Sequence, residues 1–481
     1  MVAQSRYGLM DNLLYNITSR DTIYKVIRNT IAYLLPEDLR ELYESSAQIQ
    51  IIGTDSFFIH YSVAPLLVER HYDHILEKAR GFFLKYMLSS NFESVRKKTV
   101  LNENLSLIYA VELTRAILES IKGNEGSKGK RGPSIASEQE GRGEGGEENE
   151  RSSTENKTNV INVSDENEGE KEEKMGGLER ILEQASDHAK RMVEGASSVM
   201  DVLGGGGAGS EPGSLKKIIN IAHSVLEVRD SDRIVRLALE TLEGIPKPYY
   251  MRKKEAVMGD EIRGYARTTK LERVLPRELA FPDDIFLYKL VGEGVLRREK
   301  AFSKQGALYV LVDKSGSMSG YKTIWSRSVA LSLRRVARER GAKFYLRLFD
   351  TGVYPEDKPL EDDLEIMEIL LTAPSNGGTR ITKAVKAAVK DLEKGSEERE
   401  ADTIILITDG EDNVDIDKNY LESHSVKLIT VMVGGDNKAL KEASTAYFTA
   451  ALTVDGAIDL IKSTESIVLK RAEGKPLYRH T

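Results

Sequence analysis

At 481 residues, 40% of them apolar, the chain is long enough for two or three hydrophobic cores, and no run of about 18 apolar residues marks a membrane span. It has no cysteine, which excludes disulfides, thiolate metal sites and a cysteine nucleophile. The net charge of −7 is uneven, with 14 acidic and 8 basic residues between Gly123 and Met175 but 14 of each in residues 1–122, so the chain lacks the domain-wide basic field that drives nucleic-acid binding.

The polar, interrupted N-terminus is unlike a secretory signal, so a cytoplasmic protein is expected. Residues 1–122 read as an α-helical domain, with Leu66, Leu67, Ile75, Ala79, Phe82, Phe83 and Met87 at three- and four-residue spacing. Pro36-Glu37-Asp38-Leu39 has the proline and first-turn acids of a helix start. Residues 123–177, rich in Gly, Glu and Ser and poor in aliphatics, read as a disordered acidic linker. It is a solvated tether or, alternatively, an acidic docking tail. Residues 178–245 form a helical segment, with helices predicted over Leu178–Leu203 and Ser214–Leu242 and a break at Pro246-Lys247-Pro248.

Residues 246–304 form a connecting lead-in module. Its basic residues, among them Arg252, Lys253, Lys254, Arg263, Arg267, Lys270, Arg273 and Arg277, interleave with acids, which favours packing on the C-terminal domain over a binding strip for phosphate or an acidic partner. From 305 to 472 the hydrophobic period alternates. Buried strands are predicted at Ala307–Val312, Thr403–Thr408 and Val426–Val433, an alternating strand at Lys343–Phe349 and a last strand within Ala446–Val454; helices are predicted at Ile324–Glu339, Thr379–Leu392 and Ala457–Lys470. That alternation predicts an α/β fold with a doubly wound, mostly parallel sheet, leaving 473–481 as a tail.

Three short motifs fall beyond strand carboxyl ends, where such sheets place ligands. They are Asp313-Lys-Ser315-Gly-Ser317, Gly377-Gly378-Thr379-Arg380 and Thr408-Asp409-Gly410. Together they offer carboxylate and hydroxyl oxygens and neither nitrogen nor sulfur, a set suited to Mg²⁺ or Mn²⁺ rather than zinc. Asp313, Ser315, Ser317, Thr379 and Asp409 are similar to the metal-ion-dependent adhesion site of von Willebrand factor A (VWA) domains. The resemblance covers about Ala307 to Lys470. It implies that Ser315, Ser317 and Thr379 bind the ion directly, with Asp313 and Asp409 bound directly or through water. With only two carboxylates in the set, an acidic side chain from a partner can complete the octahedron.

Other clusters read more simply. Glu411, Asp412, Asp415 and Asp417 offer a second cation site or first-turn helix acids, His71 and His74 have metal-compatible spacing but no third ligand, and Lys314 and Arg380 flank the site as steering or solvated charges. His424, just before a strand, lies at the end away from the metal. Neither a phosphate-loop nor a dinucleotide fingerprint occurs in a convincing context and no nucleophile–base arrangement accompanies the two serines, so the chain is expected not to be an enzyme.

Leu271-Glu-Arg-Val-Leu-Pro-Arg-Glu-Leu279 and Gly292-Glu-Gly-Val-Leu-Arg-Arg-Glu299 resemble the lead-in of CoxE-like VWA proteins, which work with MoxR-type AAA+ ATPases. The resemblance implies a metal-dependent protein–protein adaptor or co-chaperone that engages such an ATPase and an acidic residue of the ring or its client, in client remodelling or metallocentre maturation. The alternatives are a Ro-like RNA-binding component and the VWA subunit of a metal chelatase.

Overall fold

The helical periodicity of the first part of the chain is realised as α1 (Thr22–Leu34), α2 (Glu37–Ser45), α3 (Ala47–Tyr61), α4 (His74–Met87), α5 (Ser90–Thr99) and α6 (Glu103–Lys128). The computed structural model describes residues 12–128, 168–204, 212–245, 261–268, 274–292, 294–301, 306–394 and 402–469. The chain divides into two units, one of residues 1–197 and 209–219 and one of residues 198–208 and 220–481.

In the first unit α3 is the central element: Ile49 and every residue from Ile51 to His60 are buried, as expected of a helix packed on all sides. It lies against α6 so closely that a Cβ at Gly53 would collide with the Thr114 hydroxyl. Ser46, Asp73 and Ser89 cap α3, α4 and α5 by accepting the N–H groups of Ile49, Leu76 and Phe92. Leu66 and Leu67 fall outside α4, contrary to the periodicity reading. Leu67 instead bridges Leu14, because the Ser62–Pro65 stretch interrupts the helical phase.

Asp55 and His60 are among the titratable groups sealed within this unit. Asp55 accepts from the Leu13 N–H (2.6 Å), the Tyr24 hydroxyl (2.9 Å) and the Asn12 amide (3.4 Å), tying the entering chain and α1 to α3. His60 sits among the rings of Tyr86, Phe92 and Tyr109, and burial pushes its imidazole down to about 3, so it is neutral.

Helix occupies both ends of the stretch 123–177 expected to be a disordered linker. α6 runs to Lys128, and α7 (Glu168–Leu203) starts ten residues before the predicted helix, through a Glu- and Lys-rich run of good helix formers. Residues 129–167 lie outside the described residues, as do the tail and the basic residues Arg252, Lys253, Lys254, Lys270 and Arg273. The single helix predicted over Ser214–Leu242 is two, α8 (Pro212–Glu227) and α9 (Ser231–Glu243). Asp230, at φ 65°, breaks them; Asp is among the few residues other than Gly that tolerate this left-handed conformation.

In the second unit β1 (Glu261–Thr268) pairs antiparallel with β2 (Val295–Ala301), and α10 (Pro276–Leu279) and α11 (Asp283–Val291) lie between them in sequence. Within the lead-in Leu275, Glu278 and Val295 are buried, with the Leu275 N–H donating to the Leu296 carbonyl at 3.0 Å and Lys289 bonding Glu278 at 2.6 Å, but Arg267 and Arg277 are exposed and α11 buries none of its residues.

The main sheet is built from β3 (Leu308–Asp313), β4 (Phe344–Phe349), β5 (Val353–Tyr354), β6 (Asp402–Thr408), β7 (Val426–Met432) and β8 (Ala446–Thr449), in the order β5-β4-β3-β6-β7-β8. Only β5 is antiparallel to its neighbour. All six residues of β3 are buried, the mark of a strand covered on both faces. Around the sheet run α12 (Tyr321–Glu339), α13 (Asp363–Thr372), α14 (Ile381–Lys394), α15 (Lys418–Ser423), α16 (Lys438–Ala443) and α17 (Val454–Leu469). The sequence reading missed β5, α13 and α16, two of which have six residues or fewer, whereas α15 is the helix that the acids up to Asp417 pointed to.

α14 packs Ile381, Ala384, Val385, Ala388 and Val389 against Tyr309, Leu311, Ile404 and Leu406. Alternation turns Val310 and Val312 to the opposite face, where α12 packs. α12 is covered in turn by α9 through small residues: Ser328 and Ser332 donate to the Ile234 and Ala238 carbonyls at 2.9 and 3.4 Å.

Burial raises the Asp55 carboxyl to about 7. A folded value above the unfolded one near 3.9 means that the stabilisation from the protonated form is complete below that value and is lost as pH rises through about 7. Urea unfolding of the full chain should therefore show Asp55→Asn gaining stability relative to the native chain as pH rises from about 4 to about 7, with the difference levelling off above that. A difference independent of pH would refute the assignment.

Candidate metal centre

The strand order reverses between β3 and β6: the chain runs outward to β4 on one side and to β7 and β8 on the other. A doubly wound sheet opens its ligand crevice at such a point. Asp313 ends β3 there, 2% exposed. Its Oδ1 accepts the Ser315 N–H at 2.9 Å and its Oδ2 accepts the Thr408 hydroxyl from β6 at 2.6 Å. A short 3₁₀ turn, Gly316–Met318, then brings the Ser317 hydroxyl within 3.1 Å of that of Ser315. Asp409 follows β6 directly and is 3% exposed. Its Oδ2 accepts from Lys322 Nζ at 3.1 Å, whereas its buried Oδ1 has no partner.

Backbone bonds fasten the loop bearing Thr379 to this edge. Asn376 N–H donates to the Lys314 carbonyl (2.8 Å), Gly316 N–H to the Gly377 carbonyl (3.1 Å) and Arg380 N–H to the Asp350 carbonyl (2.8 Å). Gly377 is required: its φ is +88°, and a Cβ would stand 2.9 Å from Asp350 Oδ2. α12 holds the same loop from behind. Arg327, 4% exposed, donates to the Leu370 and Ala373 carbonyls at 3.0 and 2.6 Å, and Thr323 Oγ1 lies 2.8 Å from Ser375 Oγ. Burial lowers the Arg327 guanidinium to about 10, still charged at neutral pH.

Lys314 is neither solvated nor a steering charge. It is 8% exposed, and its ammonium bonds Asp350 Oδ2 at 2.5 Å and Asn376 Oδ1 at 3.2 Å. Burial alone would raise the Asp350 carboxyl, but the Lys314 bond, the Gly352 N–H and the Lys314 charge outweigh it and hold it below its usual value. Arg380 is exposed.

Burial, with Asp409 adding repulsion, raises the Asp313 carboxyl against the opposing bonds from Thr408 and Ser315. Two buried carboxylates are thus balanced by one ammonium, and one carboxylate oxygen is orphaned at a cost of about 1–3 kcal/mol. These residues fit a hard divalent cation. Asp313, Asp409 and the hydroxyls of Ser315, Ser317 and Thr379 would hold it, and its charge would answer both the orphaned oxygen and the surplus negative charge.

The neighbouring clusters resolve differently. Asp412 accepts the Ile381 N–H of α14 at 2.7 Å, and Asp417 caps α15, so these acids serve two helices rather than one. Among the described residues, His71 and His74 are not grouped with a third donor. His424 contacts the Tyr420 carbonyl at 2.6 Å and Glu393 at 3.2 Å, at the amino end of β7.

A family model described as VWA domain containing CoxE-like protein matches residues 288–427. This part of the chain is a CoxE-like VWA domain. The chain is 30% identical over 179 residues to an uncharacterized protein of Methanocaldococcus jannaschii, spanning 34% of this chain and 40% of that protein. It is 26% identical over 171 residues to a second uncharacterized protein of that organism, spanning 32% and 41%. The chain thus spans about two fifths of the length of these relatives. Among solved structures, an aerotolerance-related membrane protein of Bacteroides fragilis aligns at 14% identity and TM-score 0.27, over 34% of this chain and 99% of that one. Proximal thread matrix protein 1 of the mussel byssus, with a zinc-occupied adhesion site, aligns at 18% and 0.27, over 33% and 46%. Among the described residues no helix is long and apolar enough to cross a membrane.

The VWA domain contains residues that hold the candidate site together and that the motifs did not announce. Thr408 was visible only as part of a tripeptide, and Arg327 and Asp350 act through packing that spacing does not encode. Lys322 is the most consequential, bonding Asp409 and, at 3.2 Å, the Ser317 carbonyl. Replacing it by Met should act in opposite directions. Without a cation the variant should lose roughly 1–2 kcal/mol, because Asp409 keeps its buried charge without a partner, whereas Mg²⁺ should bind about tenfold more tightly once the competing charge is gone. Thermal melts with and without Mg²⁺ read both effects, and a variant weakened in both would show that Lys322 supports the cation instead of competing with it.

Proposed function

We propose that the chain is a metal-dependent protein–protein adaptor that uses its VWA domain to engage a MoxR-type AAA+ ATPase or that ATPase's client. The observation carrying this reading is the buried, unpartnered Asp409 Oδ1 within an all-oxygen set. Such a set binds Mg²⁺, or Mn²⁺, through few protein charges and leaves a position for an Asp or Glu of the partner. Catalysis by the chain itself is not proposed. The hydroxyls of Ser315 and Ser317 face each other, the nearby ammonium groups are committed to Asp350 and Asp409, and among the described residues neither serine has a base. Energy for remodelling or metallocentre maturation would come from the partner's ATP hydrolysis.

Affinity capture of the full chain with and without Mg²⁺, followed by mass spectrometry, tests the reading. An AAA+ ATPase should be recovered with Mg²⁺ and lost on chelation or in Asp313→Ala. Recovery of no AAA+ ATPase in either condition would refute the partnership. Full recovery by Asp313→Ala would refute the role of the metal.

A further inference from the structure

The exposed face of α14 carries Arg380, Lys383, Lys386 and Lys390. At about 100° per residue these positions share a sector of about 120°, and the stripe runs about 15 Å along the helix. The opposite face is fixed by its burial against the sheet, so the stripe must point outward. Among the described residues none of the four has a carboxylate partner, and three nearby acids are engaged elsewhere: Asp412 with the Ile381 N–H, Asp391 with Arg347 and Glu393 with His424. Lys314, Lys322, Arg334 and Arg347 of the same unit are all paired. Arg380, Lys383 and Lys386, with Thr382, Asp412 and Asn413, line an open hollow of about 480 Å³. The stripe begins one residue after Thr379, at the positive end of the α14 dipole.

We propose that this stripe is the second half of the docking surface. It binds an acidic segment of a protein partner whose first Asp or Glu completes the metal shell, with further acids laid along α14. The inference rests on the metal-bridged docking proposed above and adds a selection rule. About 15 Å accommodates roughly five extended residues, so an acidic run is preferred over an isolated carboxylate. A protein fits better than a nucleic acid because exposed Glu411, Asp415 and Asp417 lie in the loop bordering the hollow, where Asp415 N–H donates to Thr382 Oγ1 at 3.0 Å. A peptide can place a neutral residue there; a phosphate backbone has no neutral position to offer.

Fluorescence anisotropy of a fluorescein-labelled oligo-glutamate peptide titrated with the full chain in Mg²⁺ tests this. The triple variant Lys383→Glu, Lys386→Glu, Lys390→Glu should bind about tenfold or more weakly and with a shallower salt dependence, while keeping the native rise in Tm on adding Mg²⁺. Unchanged affinity would overturn the proposal. Asp409→Ala separates it from the reading beneath it. Loss of binding in that variant with none in the triple variant leaves metal-bridged docking standing and refutes the stripe. Loss in the triple variant with no dependence on Mg²⁺ supports the stripe and refutes metal bridging. Tighter, stripe-dependent binding of labelled oligouridylate would assign the surface to nucleic acid and overturn the proposal.

Discussion

Two carboxylates, Asp313 and Asp409, are buried at the carboxyl ends of adjacent parallel strands, where neither can reach bulk water and both need compensating positive charge. Much of the surrounding structure answers that requirement. Thr408 and the Ser315 N–H take the two oxygens of Asp313, Lys322 takes one oxygen of Asp409, and the last oxygen is left without a partner. The loop delivering Thr379 is held by Lys314, Asp350, Gly377 and Arg327, none of which belongs to the five-residue donor set. Rigidity is what such a site needs, because few protein charges can bind a divalent ion only if the donors are already in place.

The VWA fold was legible because its signals are strong ones. Near-continuous aliphatic runs alternate with amphipathic helices, and Asp313-x-Ser-x-Ser, Thr379 and Asp409 each fall at the end of an element where the sheet converges. What spacing could not show was charge pairing across elements. Lys314 stands next to Asp313 in sequence and reads as a flanking surface charge, yet its ammonium turns away to Asp350, thirty-six residues on. Lys322 lies in the first turn of a helix, where nothing local distinguishes it from a solvated lysine. The elements missed were chiefly short ones, in which too few residues repeat to establish a period. The break at Asp230 was missed because a left-handed Asp leaves no glycine or proline to mark it.

The N-terminal unit shows the complementary limit. Its helices followed from periodicity, but its most constrained residues are polar. Asp55 joins three separate segments, and His60 is held neutral among aromatic rings. Buried polar groups of this kind specify one packing arrangement at a cost in solvation, and hydrophobic patterning does not record them.

The central claim is that Asp313, Ser315, Ser317, Thr379 and Asp409 form an incomplete shell for a hard divalent cation. Water-proton relaxation during titration of Mn²⁺ with the full chain tests it directly, since relaxation is enhanced when a bound ion keeps exchangeable water. The account predicts one saturable site with enhanced relaxation that Mg²⁺ displaces, and its loss in both Asp313→Ala and Asp409→Ala. Enhancement that survives in both variants, or a native chain that shows none, would contradict it.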